Sequence, residues 1–165
     1  MSQLTSNSNL FSDKQIKQDI NEWATYVGLP QKDLGGMAVC PFARASMKLY
    51  EIVLCNELSD INPPAEEFEL IINVVSESTT LEQLIEKCQQ LENQYPLLIF
   101  LPDHKDRNTH INGIQTNNGK HNLILCQPRD KLLAAREKLS KTAYYSYWNK
   151  EYLNEIIGDI NVNLD

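Results

Sequence analysis

The stretch FELIINVV, residues 68–75, is the clearest β-strand in the chain and decides its fold class. Its β-branched and apolar residues follow one another without regular polar alternation, which is typical of a strand buried on both faces. A capping box formed by Thr79 and Glu82 predicts that a helix follows directly. The apolar stripe of this helix consists of Leu81, Leu84, Ile85, Cys88 and Leu91. The next apolar stretch, PLLIFL at residues 96–101, completes a β-α-β unit whose two strands run parallel.

Elements on both sides extend this unit into one sheet. Ser12 is the predicted N-cap of a first helix, which ends at Gly28. Its apolar stripe consists of Ile16, Ile20, Trp23, Ala24 and Val27. The remaining predicted elements are strands at 49–54 and 122–126, a helix opened by Pro128 and a helix over about 143–157. The sequence therefore predicts an α+β domain with a single mixed sheet of about four strands and helices packed over one of its faces, in a permuted split β-α-β (ferredoxin-like) order.

Length and composition indicate one ordinary globular domain. The chain has 165 residues and a formal net charge of −7, and a chain of this length buries a sizeable core without disulfide or metal staples. We expect a disordered polar lead over residues 1–10, a single domain over 11–160 and a short tail over 161–165. The acidic balance argues against nucleic acid and anionic membranes as partners.

The cysteines and the N-terminal residues favour a cytoplasmic protein. The four cysteines are widely spaced and form no CxxC pair, so neither a disulfide framework nor a zinc site is indicated. The first nine residues lack the basic and apolar regions of a signal peptide, and no run of about 18 apolar residues occurs. We therefore expect reduced thiols in the cytoplasm.

The main candidate site is the stretch VCPFAR, residues 39–44. Proline suits the first turn of a helix, so Pro41 places Cys40 near a helix N-terminus. The positive end of the helix dipole, with Arg44 one turn further on, favours the thiolate form of Cys40. Arg44 is also suited to hold a substrate carboxylate in a bidentate pair. The alternative is structural, since the same stretch has the residue types that fill a protein core.

Two resemblances to known families rest on this stretch. Residues 40–44 resemble the active-site turn of omega-class glutathione transferases and monothiol glutaredoxins, which implies a metal-free thiol enzyme that uses Cys40. From Trp23 to Leu101, the order of elements around VCPFA resembles small bacterial domain families that share a CPF signature, and more distantly the YqcI/YcgG family. Some members of that family resemble haem-dependent oxygenases that hydroxylate nitrogen on amino acids or guanidines in natural-product pathways. This resemblance implies a haem-binding oxidoreductase with Cys40 and Arg44 lining its pocket.

A polar stretch over residues 102–121 holds all three histidines. Its length is close to that at which an unstructured connection usually has a function. Imidazole is a common ligand of iron, so His110, His104 or His121 is the predicted metal ligand, and we favour His110. Asp103 and Asp106 are near enough in sequence to hold the second ring nitrogen of such a ligand. The alternative interpretation is a solvated turn after a strand.

The aromatic stretch YYSYW, residues 144–148, supplies the second part of the predicted pocket. Phe42, Tyr147 and Trp148 are the predicted cofactor contacts, because aromatic side chains can wall a site for a planar group. The alternative, which we favour for Trp148, places this residue in the core and leaves Tyr144 or Tyr147 for a homodimer interface.

Three functions therefore stand as hypotheses. The first is a small cytoplasmic enzyme that acts on a small-molecule substrate, as a haem-dependent oxygenase of an amino-acid or amine nitrogen. The second is a metal-free thiol enzyme in which Cys40 attacks a disulfide or an electrophilic carbon. The third is a non-catalytic domain that binds a ligand or a partner protein.

Overall fold

The structure is a computed structural model that describes residues 12–40 and 50–157. The predicted lead, the predicted tail and residues 41–49 lie outside the described residues. The helix predicted to begin at Pro41, and the candidate residues Phe42 and Arg44, therefore lie outside them too.

The first helix, α1, spans Asp13–Val27 and begins as the sequence predicts. The Ser12 side chain accepts a hydrogen bond from the Gln15 backbone N–H at 3.2 Å, which satisfies one of the donors that a helix N-terminus leaves unpaired. The apolar stripe of α1 is buried at Ile16, Ile20, Ala24 and Val27. The helix ends at Gly28, whose backbone N–H donates back into the last turn.

One mixed sheet of four strands forms the centre of the molecule, as predicted. Its strands are β1 (Tyr50–Leu54), β2 (Leu70–Val75), β3 (Leu98–Asp103) and β6 (Asn122–Pro128). Their order across the sheet is β1-β2-β6-β3. The first two strands pair parallel, and β6 pairs antiparallel with both β2 and β3. Because β6 separates β2 from β3, the β-α-β unit is split, as predicted. The parallel pairing of β1 with β2 differs from a ferredoxin-like sheet, in which all strands pair antiparallel.

The helix of this unit, α2, spans Leu81–Gln94 and begins one residue later than predicted. The capping box is formed by Thr80 and Gln83, and the predicted pair of Thr79 and Glu82 is wrong by one position. The same short polar stretch offers two threonines followed three residues later by an acidic or amide side chain, so the sequence pattern fits both registers.

Helices cover both faces of the sheet, so the prediction of helices over one face is wrong. On one face, Leu84, Cys88 and Leu91 of α2 pack with apolar residues of the strands. Those strand residues are Ile71, Val75, Phe100, Ile124 and Cys126. On the other face, Ile16 and Ile20 of α1 pack against Ile72, Val74 and Leu123. Residues 71–75 are all buried, which confirms the prediction that this strand is covered on both sides.

The polar stretch 102–121 is more ordered than the predicted loop. Its first two residues extend β3, and a small hairpin of β4 (His110–Ile111) and β5 (Ile114–Gln115) follows. The hairpin turn uses positive φ at Asn112 and Gly113, where asparagine and glycine are the residues best tolerated.

The C-terminal part contains two helices, α3 (Arg129–Ser140) and α4 (Lys150–Ile157). The single helix predicted over 143–157 is wrong, because a short 3-10 turn at Tyr144–Tyr147 is separated from α4 by an extended residue, Trp148. Asn149 explains the break, since its side chain accepts from the Tyr152 backbone N–H at 2.7 Å and so caps a new helix. None of the described helices has the length and apolar character needed to cross a membrane.

Candidate ligand-binding site

A cavity of about 330 Å³ lies on the α1 face of the sheet, beneath α3. Its floor is formed by strand residues Leu70, Ile72, Leu101, Leu125 and Gln127. Its walls are formed by Trp23, Ala24 and Val27 of α1 and by Leu132, Ala135, Arg136 and Leu139 of α3. No residue of α3 is fully buried, so the apolar residues of this helix border the cavity without closing it. The volume lies at the lower end of the range for small-molecule sites.

Four aromatic side chains of the C-terminal part complete the cavity wall. The Trp148 ring lies 5.6 Å from Tyr144, 5.3 Å from Tyr145 and 4.9 Å from Tyr152, measured between ring centroids. The Tyr144 hydroxyl donates to the Val39 carbonyl oxygen and so ties the aromatic cluster to the chain that leads to Cys40. Burial raises the pKa of Tyr144, Tyr145 and Tyr152, that of Tyr145 to about 12. These phenols are therefore neutral at physiological pH.

Three charged side chains border the cavity, those of Glu69, Lys131 and Arg136. Glu69 and Lys131 pair with each other. The Lys131 ammonium lies 2.7 Å from a Glu69 carboxylate oxygen, which balances both charges. No carboxylate among the described residues pairs with Arg136, and no hydrogen bond of its guanidinium is found there. Burial lowers the pKa of Arg136 from its usual value, because desolvation disfavours the charged guanidinium. The cavity therefore carries one positive charge that no described group balances.

The indole N–H of Trp148 is a second polar group without a partner. Its nitrogen is buried and no described atom accepts from it with hydrogen-bond geometry. Burial raises the pKa of Tyr144, and the Trp148 N–H beside its hydroxyl lowers this pKa by less, because the two groups lie near each other without the geometry of a hydrogen bond. The other tryptophan differs, since Trp23 Nε1 donates to the Thr116 carbonyl oxygen at 3.0 Å. Trp148 thus lines the cavity and brings an unused donor to it.

Cys40 lies at the rim of the same cavity and is exposed. Its backbone N–H donates to the Val27 carbonyl oxygen at 2.7 Å, which holds this residue beside the end of α1. The alternative in which Cys40 fills the core is therefore wrong, whereas its neighbour Val39 is buried. The other three thiols are buried, and burial raises the pKa of Cys88 and Cys126 to about 12. Cys40 is the cysteine that solvent and ligands can reach.

The three histidines do not line the cavity. His104 uses both ring nitrogens, since Nε2 lies 2.9 Å from the Thr79 carbonyl oxygen and Nδ1 accepts from the Asp106 backbone N–H. His110 precedes Ile111, which does line the cavity, and neighbouring strand residues point to opposite faces. Within the stretch 102–121, Ile111 and Thr116 line the cavity and the histidines do not. That this stretch closes over Cys40 stays a prediction.

His121 is a buried structural residue. It is 2% exposed, and its Nε2 lies 2.8 Å from a carboxylate oxygen of Asp19, which is itself buried on α1. The pKa of Asp19 is lowered: burial alone would raise it, but hydrogen bonds from His121 and Gln15, with the nearby Lys120, outweigh that effect. The contact fastens the start of β6 to α1.

A buried polar cluster around Asp103 shapes the stretch that borders the cavity. The Asp103 carboxylate accepts from the Asn118 backbone N–H at 3.1 Å and from its side-chain amide at 2.8 Å. Burial raises the pKa of Asp103 to about 6, against the opposing effect of the Asn118 hydrogen bonds. Two residues before Asn118, Thr116 contacts the Tyr152 hydroxyl at 3.2 Å and accepts the Trp23 N–H at its carbonyl oxygen. This cluster therefore positions residues that line the cavity.

The side chains that could hold a metal or a haem fit this geometry only in part. Within residues 12–40 and 50–157, no group of three or more His, Cys, Asp or Glu side chains is placed to hold a metal ion. A haem needs a single protein ligand, and histidine, thiolate or phenolate can serve. The histidines do not fit this role at the cavity, because none lines it. Cys40 and the tyrosines are the side chains of suitable chemistry there, so the haem hypothesis stays a prediction that rests on the resemblance.

Tyr147 and Tyr144 are placed differently from their predicted roles. The Tyr147 ring packs with Val27 and Leu34, in a core cluster separate from those on the two faces of the sheet. Its hydroxyl lies over Gly35, so Tyr147 does not line the cavity. Tyr144 is 3% exposed, so the prediction that leaves it free for a dimer interface is wrong. A homodimer through this region stays a prediction.

Arg136 lies on the predicted stripe of the helix opened by Pro128, but the sequence pattern alone assigns it no functional role. It falls on the same helical stripe as Leu132 and Leu139, three or four residues apart. A charged residue within an apolar stripe is the signal that could have identified it, because such a side chain must be buried, paired or turned toward a ligand.

Comparison with known proteins identifies no relative of this chain. No known protein family matches the chain, and no curated protein and no solved structure is significantly similar to it. What can be said about function therefore rests on the geometry of the site.

Proposed function

We propose that this protein binds a small organic anion in the cavity between α3 and the sheet, with Arg136 as the anion-binding residue. The observation that supports this proposal is the half-buried Arg136 guanidinium, which has no carboxylate partner among the described residues. Among the functions considered from the sequence, it corresponds to a ligand-binding domain for a small-molecule substrate.

An unpaired, partly desolvated cation is unfavourable in the free protein, and a ligand anion would balance it. Arginine presents a planar fork of N–H donors that matches a carboxylate or phosphate in two parallel hydrogen bonds. The apolar surroundings of Arg136 lower the local dielectric and strengthen such a pair. Lys131 would not serve in the same way, because Glu69 already balances its charge.

The rest of the cavity favours an apolar body on that anion. The sheet contributes aliphatic side chains and α1 with the C-terminal part contributes aromatic ones. Burial of each apolar ligand atom is favourable by about 25 cal/mol per Å² of surface removed from water. The net charge of −7 does not attract anions over a distance, so the local charge of Arg136 carries the selectivity. We place this ligand-binding domain in the cytoplasm, where an exposed thiol such as Cys40 stays reduced.

The test is a titration of the purified protein with matched ligands, followed by calorimetry and by the thermal midpoint. We expect hexanoate and benzoate to bind and to raise the midpoint, and hexanol and benzyl alcohol to bind more weakly. Arg136→Gln should weaken the binding of the acids by about 1.5–3 kcal/mol, roughly 10- to 150-fold, because it removes a charged hydrogen bond. Lys138→Gln is the matched control, since it makes the same charge change on the exposed side of α3.

The stability of the Arg136→Gln variant separates a ligand-binding role from a structural one. Because the guanidinium has no described partner to lose, we expect the variant to unfold with a free energy equal to or above that of the wild type. Equal binding of acids and alcohols, or a control that weakens binding as much as Arg136→Gln, would refute the proposal.

A second candidate function is a metal-free thiol enzyme, which the position of Cys40 at the cavity rim favours. A bound electrophile would lie close to this thiol, and a thiolate is the attacking species in such chemistry. Iodoacetamide labelling of Cys40 should then slow in the presence of a bound acid. Labelling that is unaffected by saturating ligand would separate Cys40 from the cavity function.

The haem-dependent oxygenase is tested independently by growing the protein with iron and a haem precursor. A Soret band that is lost in Cys40→Ala and kept in His110→Ala would place a ligand at the cavity rim. A protein that shows no Soret band, even with excess haem, would end this hypothesis without affecting anion binding.

A further inference from the structure

We infer that the anion bound in this cavity is a planar aromatic acid that also carries a hydrogen-bond acceptor, and that Trp148 Nε1–H donates to this acceptor. The inference rests on the proposed function, since it assigns the chemical class of the ligand at that same site. It depends on a second, independent observation, the unpartnered indole N–H.

The Trp148 N–H is a donor that the described residues leave unused. Buried polar groups in proteins are nearly always hydrogen-bonded, and those that are not call for an explanation such as a ligand. The Nε1 atom is buried, and Trp148 lines the cavity. Indole can donate but cannot accept. The missing group is therefore an acceptor, such as a carbonyl, ether, nitro or heterocyclic nitrogen.

The two donors lie beside one aromatic ring. Tyr145 is close enough to Arg136 for the guanidinium to lower the pKa of its phenol, against the larger effect of burial. The Tyr145 ring centroid also lies 5.3 Å from that of Trp148. Arg136 and Trp148 therefore both lie near the Tyr145 ring, so one small ligand can contact both donors.

The walls favour a flat ligand. Trp23, Tyr144, Tyr145, Trp148 and Tyr152 all border the cavity. Their π faces and edges offer offset-stacked and edge-to-face contacts that a saturated ring of the same size cannot make. The volume of about 330 Å³ corresponds to roughly ten water molecules, so the ligand has one or two rings. The phenols are neutral at physiological pH, because burial raises their pKa, and so do not repel an anion.

The experiment compares three acids of similar size: 4-acetylbenzoate, 4-isopropylbenzoate and cyclohexanecarboxylate. The first has a ring and an acceptor, the second has the ring without the acceptor, and the third has neither. We expect the wild type to bind 4-acetylbenzoate about tenfold more tightly than 4-isopropylbenzoate, and both more tightly than the saturated acid. In Trp148→Phe the preference for the acceptor should fall to about one.

Trp23→Phe is the matched control. It also removes an indole N–H from the cavity wall, but one that already donates to Thr116, so the acceptor preference should persist. The chain has two tryptophans, so the indole region of a ¹H–¹⁵N spectrum has two signals, which the two variants assign. We expect 4-acetylbenzoate to move the Trp148 indole signal downfield and 4-isopropylbenzoate to leave it without that shift.

The outcomes separate the inference from the proposed function. Equal binding of aromatic and saturated acids would overturn the inference, and so would an acceptor preference that survives Trp148→Phe. In either case, loss of acid binding in Arg136→Gln would still support the proposed function. Binding of none of the three acids would overturn both. A Trp148 signal that does not move when the protein is saturated with 4-acetylbenzoate would also overturn the inference.

Discussion

Replacing Asp103 by asparagine should make the protein less sensitive to pH. The Asp103 side chain is 8% exposed, and burial raises its pKa from 3.8 to about 6. The folded state then binds a proton more tightly than the unfolded state. The contribution of this residue is therefore most favourable below pH 3.8, and it is lost as the pH rises through about 6. A shift of this size corresponds to about 3 kcal/mol.

The amide side chain of the Asp103→Asn variant would resemble the protonated acid. Its carbonyl oxygen can still accept from Asn118, and it carries no charge to desolvate. We expect the free energy of unfolding of the variant, minus that of the wild type, to rise between roughly pH 4 and pH 7. The rise should be most of the full contribution of about 3 kcal/mol. Urea denaturation at several pH values, with the slope m checked for constancy, measures the difference.

Asp33→Asn is the control for the change in net charge, since Asp33 is exposed. A stability difference between wild type and Asp103→Asn that stays constant over this pH range would refute the reasoning. A difference of the opposite sign would show that the hydrogen bonds from Asn118 outweigh the desolvation of the carboxylate.

Two further predictions concern the chain around Cys40. Gly35→Ala should destabilise the protein by about 1–2 kcal/mol, because φ is +65° and the new Cβ would lie 2.7 Å from the Tyr147 hydroxyl oxygen. Gly36→Ala is the control for the backbone cost alone, because φ at Gly36 is +85° and no atom lies within 4 Å of the new Cβ. Equal losses of unfolding free energy for the two variants in urea denaturation would show that the Tyr147 contact is harmless. Iodoacetamide at about pH 8 should label exposed Cys40 and leave Cys88 intact, since a pKa raised to about 12 cuts the Cys88 thiolate fraction about a thousandfold. Mass spectrometry of the labelled peptides measures this, and comparable labelling of Cys88 in folded protein would contradict the burial described.

Local patterns predict most of the fold because the deciding signals are short in sequence. The Ser12 cap and the apolar periodicity of α1 depend on neighbouring residues alone, and so does the continuous apolar strand over 70–75. The register of the α2 cap and the break at Asn149 were missed, because each sequence pattern fits two local structures of similar energy.

The candidate site was predicted only in part. Cys40 and Trp148 lie at one cavity, although more than 100 residues separate them in sequence. The histidines were assigned as ligands from their chemistry, but their placement follows from partners that only the tertiary structure reveals, such as Asp19 for His121. Arg136 is distinguished by the lack of a carboxylate partner among the described residues. No sequence pattern shows such a lack, so the sequence alone does not identify Arg136 as a binding residue.

The central position of β6 has a consequence for how the chain folds during synthesis. The strand lies between β2 and β3, so those two strands make no hydrogen bonds to each other. Until residues 122–128 leave the ribosome, β3 has no partner in the sheet and α2 covers a surface that lacks its middle strand. Strand pairing of this long range is slow and exposes unpaired edges in the meantime. A nascent chain stalled before residue 122 should therefore expose apolar surface and bind chaperones, whereas one that has released β6 should not.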